Sequence, residues 1–209
     1  MAADEDMQRL KASGEVLQEI MATPDKGIPS SLFKKANCVV VIPGMKKAGF
    51  IFSGKYGRGF AACRKQGGGW TGPAGMRIEG GGFGLQVGGS ETDIVMLVMS
   101  KKGMDGILAS KFTLGGEASV AAGPVGRDTT AQTDATMRAD VLSWSRSRGV
   151  FGGISLQGGS LRGDEDADKS LYGKKVTNKE ILTGQVEAPP GADAFIGKLT
   201  QYGGATEAS

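Results

Sequence analysis

Between Gly44 and Lys65 the chain reads GMKKAGFIFSGKYGRGFAACRK, with six lysines or arginines and no acid. Cations without nearby counter-ions are the side chains here best suited to chemistry, and that chemistry is the capture of an anion. The window is wider than this stretch. From Lys26 to Ile78 there are ten basic residues and no Asp or Glu, while the rest sets fifteen basic residues against all twenty-two acids. A net charge of +3 conceals that separation. Lys34, Lys35, Lys46, Lys47, Lys55 and Arg58 fall at expected strand ends or turns, where hairpin tips can gather cations at one rim of a sheet. Near an anionic lipid surface each would contribute about 1 kcal/mol, screened by salt. Phe33, Met45 and Tyr56 stand beside these charges and could dip into the interface. The plainer reading is a basic face that only keeps the protein in solution.

Other chemistries fare worse. Histidine is absent, which removes the usual general base, the Ser-His and Cys-His couples and most zinc sites. No serine–lysine pair is marked out, so the chain is not expected to be an enzyme, and no cofactor or metal is expected. Cys38 and Cys63 could pair across neighbouring strands, but their small apolar neighbours favour buried free thiols. Asp164-Glu165-Asp166-Ala167-Asp168 resembles the start of a calcium loop. Lys169 and Lys175 occupy the positions that need Gly and Glu, so a solvated helix start is the expectation. GGFGLQVG has loosely spaced glycines but follows Arg77-Ile78-Glu79 rather than a buried strand that opens a helix. RGFAACRK partly matches an RNA-binding strand, with Phe60 as its stacking residue and Ala62 and Lys65 where aromatics belong. Nucleic acid is not an expected partner.

The elements that must position the cations follow from apolar periodicity. Met7, Leu10, Leu17 and Met21, flanked by Val16 and Ile20, share one face of a helix over residues 4–22. Its five acids suit it to covering a sheet rather than lying on an anionic membrane. Residues 30–35 read as a short helix. Strands are expected over 37–42, 49–55, 59–65, 80–88, 93–99, 117–122, 139–147 and 150–157, and the first, apolar on both faces, should be central. Short helices are expected over 103–111, 164–172, 178–182 and 192–202. Many of the 36 glycines lie inside apolar runs, where glycine marks bends, bulges or close backbone approach. The fold class is therefore α+β: a single glycine-rich, mainly antiparallel, strongly coiled, barrel-like sheet with packed short helices. The expected organisation is an N-terminal helix over 1–25, a domain over 26–202 and a frayed tail over 203–209. The longest apolar run, Ile94 to Met99, is far short of the ~18 residues of a membrane span, and no signal peptide is visible.

A family resemblance adds to this. GIPSSLFKKANCVVVIPGMKKAGFIFSGKYGRGFAACR resembles the opening block of the SYLF domain. WTGPAGMRIEGGGFGLQVG followed by DIVMLVM, then KFTLGGEASVAAGPVGR, then WSRSRGVFGGISLQGGSLRGDEDADKSLYG, are similar to its later blocks. TNKEILTG fits bacterial members. The resemblance implies a lipid-binding module whose eukaryotic relatives bind phosphoinositides and join membranes to actin assembly, often beside an SH3 or FYVE domain. These 209 residues leave no room for such a domain, so the actin role is not carried over. In eukaryotic relatives a lysine-bearing N-terminal helix contributes to membrane contact, whereas the matching helix here is acidic. Bacterial relatives are often single-domain and exported or envelope-associated, which makes an exported, periplasmic or envelope location the expectation, with the cytoplasm left open. The leading expectation is peripheral recognition of anionic phospholipid. The alternative is a structural envelope protein that binds another protein, and single-stranded nucleic acid is a distant third.

Overall fold

The computed structural model describes residues 2–44, 56–79, 92–126, 134–147 and 149–204. It opens with helix α1 (Ala2–Met21), a 3₁₀ turn (Pro24–Lys26) and α2 (Ser30–Lys35). Strands β1 (Cys38–Ile42), β2 (Tyr56–Cys63), β3 (Ala74–Glu79) and β4 (Thr92–Val98) follow. Next come α3 (Lys101–Leu108), β5 (Lys111–Thr113), β6 (Val120–Ala122), α4 (Asp134–Arg138), β7 (Val141–Ser147), β8 (Val150–Gly153) and β9 (Ser160–Gly163). The chain closes with α5 (Glu165–Tyr172), α6 (Asn178–Leu182) and α7 (Asp193–Gly203). The expected strands over 49–55 and 80–88 lie outside the described residues. The expected helix over 103–111 ends sooner, because Lys111 has already entered β5.

The strands form one sheet in the order β5-β9-β3-β2-β1-β4-β7-β6, with β8 also beside β7. Every pairing between these strands is antiparallel except β6 with β7, so the fold is α+β with a strongly curled, half-barrel mixed sheet. β1 is central, as its doubly apolar sequence requires: all five residues are buried. On one face Val40, Ile42, Met76 and Met96 pack with Ile107 of α3 and Ile181 and Leu182 of α6. On the other, Val39, Val41, Phe60 and Leu97 pack with Leu10 and Leu17 of α1, Phe33 of α2, and Phe195 and Leu199 of α7. Each fully buried aliphatic or Phe side chain contributes about 1.5–3 kcal/mol of transfer free energy. Glycine makes two of these approaches possible. A Cβ on Gly14 would stand 2.0 Å from the Ala194 carbonyl oxygen where α1 crosses α7, and one on Gly123 would stand 2.1 Å from the Trp144 ring.

Three expectations are corrected. Cys38 and Cys63 are not free thiols: they face each other across β1 and β2 and form a disulfide, which the twenty-five-residue separation gave no reason to prefer. Phe60 is fully buried beneath α1, so it offers no ring to a nucleobase. The acidic run at α5 is only half solvated. Glu165 and Asp166 are exposed, but Asp164 and Asp168 are buried. Among the described residues no group of three or more metal-ligating side chains forms there.

Those buried acids hold α1 and α5 against the sheet. Asp164 caps α5 by accepting from the Ala167 N–H, and it pairs with the Arg58 guanidinium at 2.7 Å. Arg58 also comes within 4.0 Å of buried Asp6 of α1, itself paired with Arg9 at 2.7 Å. Asp168 accepts from the Gly75 N–H at 2.6 Å, while its other oxygen has no hydrogen-bond partner among the described residues. Burial pushes the Asp168 carboxyl up to about 8; the Gly75 N–H opposes this and Asp164, Glu165 and Asp6 add to it. The folded chain therefore keeps a proton that the unfolded chain releases above its ordinary value of 3.8. Folded stability must then fall as pH rises from about 4 to about 8. Urea unfolding at pH 5 and pH 8.5 should show the lower midpoint at pH 8.5. In Asp168→Asn, which keeps the Gly75 bond and cannot ionise, this contribution should vanish and the pH 8.5 midpoint should exceed that of the parent. An equal slope in both proteins would refute the assignment.

Candidate basic surface

Of the nine positions expected to build the anion site, four are described with their side chains, Phe33, Lys34, Lys35 and Arg58, and these four do not share one surface. β1 has five residues, so its ends stand about 13 Å apart. Lys34 and Lys35 lie before its first residue, whereas Gly44 and the start of β2 at Tyr56 lie beyond its last. Met45, Lys46, Lys47 and Lys55 are outside the described residues, as is the Tyr56 side chain. Arg58 points beneath α1 and α5 into its ion pair with Asp164, and only 24% of its side chain is exposed. Phe33 is fully buried between the sheet and α7 and cannot meet an interface. Of the expected positions that are described, Lys34 and Lys35 are exposed cations, while Asp164 draws Arg58 inward and Phe33 enters the core.

At the α2 end, one side chain organises the surface. The Arg64 guanidinium donates to the carbonyl oxygens of Ala36 (2.7 Å), Phe33 (3.2 Å) and Lys34 (3.0 Å) at the end of α2. It also donates to those of Gly203 (2.8 Å) and Gly204 (3.0 Å) at the end of α7. Its carbon lies 4.3 Å from the Trp70 ring centroid, and the Trp70 N–H donates to the Gly204 carbonyl at 3.0 Å. The last carbonyls of a helix have no partner within it and carry its negative pole. A planar fork of donors bearing a permanent charge satisfies both ends at once. Burial lowers the Arg64 pKa, but an arginine has so high an ordinary value that it stays charged. No sequence signal marks this role, since the acceptors are backbone atoms.

The clamp presents lysines. Lys34 and Lys35 occupy the last turn of α2, Lys65 follows Arg64 on the chain, and all three are exposed. None has a carboxylate within 4.0 Å among the described residues. Lys101 and Lys102, which open α3, stand exposed at the same end, since Val98 of β4 is the cross-strand partner of Cys38. Lys102 faces Asp140. Burial opposes ionisation of Asp140, but hydrogen bonds from Ser100 and Ser119, together with the Lys102 charge, outweigh it and hold the carboxyl below its ordinary value. The surface can hold anions by charge.

Removing the clamp leaves buried carbonyls without donors, at about 1–3 kcal/mol for each group that water cannot reach. Arg64→Ala should lower the unfolding free energy by about 3 kcal/mol and change the near-ultraviolet circular dichroism of Trp70. Arg64→Lys, with a compact ammonium in place of the fork, should recover less than half of that loss. Urea unfolding with both spectra checks this, and an Arg64→Ala protein as stable as the parent would contradict it.

Comparison with known proteins gives the family. The family model Ysc84, described as Las17-binding protein actin regulator, matches residues 79–202. The SH3 domain-containing protein PJ696.02 of Schizosaccharomyces pombe is 38% identical, over 79% of this chain and 39% of that protein. Protein YSC84 of Saccharomyces cerevisiae is 36% identical, over 82% of this chain and 37% of its own. The SH3 domain-containing YSC84-like protein 1 of Rattus norvegicus is 32% identical, over 86% of this chain and 53% of its own. The chain thus spans between about two fifths and half of the length of these relatives. With over half of its residues inside the family model, and with the ordered sequence blocks in place, the chain belongs to the Ysc84 family of SYLF-domain proteins.

Proposed function

We propose that the chain is a non-catalytic, peripheral binding module that recognises anionic lipid headgroups, phosphoinositide-like or of another acidic phospholipid. One observation carries this reading: Lys34, Lys35 and Lys65 are exposed together, without a carboxylate partner among the described residues, on helix and strand ends that Arg64 holds rigid. Three such lysines, each worth about 1 kcal/mol near an anionic leaflet, favour reversible, salt-sensitive attachment. Lys46, Lys47 and Lys55, in the sequence between β1 and β2, are proposed to add to this charge. The Cys38–Cys63 disulfide supports an oxidising compartment, where such bonds persist. A second reading, attachment to a protein partner, draws on the printed description of the family as Las17-binding.

Pelleting with phosphatidylcholine vesicles, with and without phosphatidylserine, separates these readings. Lipid recognition predicts binding only to the anionic vesicles, loss as salt rises, and at least tenfold weaker binding for Lys34→Glu/Lys35→Glu. A folded Lys34→Glu/Lys35→Glu protein that pellets like the parent would remove this surface from the function. Equal pelleting with both vesicle types, or with neither, would remove lipid recognition altogether.

A further inference from the structure

Strand register sets four cations in a single line. Arg58 of β2 lies opposite Arg77 of β3, Arg77 opposite Arg162 of β9, and Arg162 opposite Lys111 of β5. Residues directly opposite in neighbouring strands share a face, and the strands are about 4.8 Å apart, so the row is about 14 Å long. Alternate residues of the same strands, Ile78, Leu161 and Phe112, turn to the opposite face and are buried in its core. Like charges placed directly across a sheet destabilise it. Three successive cation–cation pairs carry such a cost, which Asp164 at Arg58 and Glu79 at Arg77 and Arg162 offset in part, and side chains this far apart in the chain are brought into line by tertiary pairing alone.

The row divides at its first member. Arg58 is turned inward by Asp164. The other three face outward: the side chains of Arg77 and Arg162 are 39% and 47% exposed, and Lys111 is exposed. Glu79, two residues beyond Arg77 on the same face, reaches Arg162 at 3.4 Å and Arg77 at 4.0 Å. Lys111 has no carboxylate within 4.0 Å among the described residues. Exposed Glu165 and Asp166 of α5 stand nearby, because α5 packs on β3. Carboxylates beside the row are unfavourable for contact with a flat anionic bilayer. Two guanidiniums and an ammonium lie side by side on adjacent strands, and an anion with several oxygens can take bonds from more than one strand at once.

We propose that Arg77, Arg162 and Lys111 form a binding site for a phosphomonoester dianion, carried by a soluble molecule or by a lipid headgroup. The site is separate from the lysines around Arg64, which lie at the β2 end marked by Cys63.

The test uses the full chain with tripolyphosphate as probe, followed by calorimetry, with acetate at matched ionic strength as control. The parent should bind tripolyphosphate and not acetate. Arg162→Gln/Lys111→Gln, at exposed positions, should bind at least about tenfold more weakly with unchanged near-ultraviolet circular dichroism. Arg162→Lys, which keeps the charge and loses the fork, should fall between the two. Lys34→Glu/Lys35→Glu should bind as the parent does. Vesicles of phosphatidylcholine with phosphatidic acid, a monoester, are then compared with vesicles containing phosphatidylserine, a diester. Selective loss of phosphatidic acid binding in the Gln double variant identifies a headgroup as the source of the phosphate. Unchanged vesicle binding with lost tripolyphosphate binding identifies a soluble one. Tripolyphosphate binding that is absent in the parent, that survives in the Gln double variant, or that Lys34→Glu/Lys35→Glu reduces equally, overturns the proposal.

Discussion

One guanidinium shared between the carbonyl ends of two helices fixes the geometry on which the basic surface depends. α2 is a six-residue helix with no side-chain cap at its start, too short to be stable alone. Arg64 supplies what its far end lacks and ties it to the end of α7, while Trp70 flanks the charge. Because Arg64 immediately follows the strand that carries Cys63, the clamp also joins both helices to the centre of the sheet. Lys34 and Lys35 are thus presented by a rigid corner.

The polarity of the interior follows a similar economy. Buried charges are expensive unless paired. Asp6 and Asp164 share arginines, and Asp168 escapes the cost by keeping its proton. The same arrangement accounts for an acidic helix lying over a basic strand. α1 uses Asp6 against Arg58 near one end, and Glu19 pairs with Arg146 of β7 at 2.7 Å near the other.

Much of the fold was legible where periodicity was strong. The apolar stripe of α1, the doubly apolar β1, the hairpin of β7 and β8, and α2 and α6 over the residues expected all follow from local pattern. β3, β5 and β9 were not anticipated. They are short and rich in Gly, Arg or Lys, and become strands only because a neighbour offers hydrogen bonds. The site was less legible than the fold. The acid-free window is real in sequence, yet it counts residues by neighbourhood along the chain. Counter-ions come from elsewhere: Asp164 reaches Arg58 across a separation of 106 residues. Phe33 beside two lysines looked interfacial, but its place on α2 turns it into the core. The cation row was invisible, since no two of its members are near neighbours in sequence.

The bond between Cys38 and Cys63 encloses the whole connection from β1 to β2, including the KK pair at 46–47. A protease that cuts once inside this loop therefore separates nothing: the two pieces remain one molecule, with both central strands still stitched edge to edge by sulfur. Only after reduction would the nick become visible as two fragments on a gel.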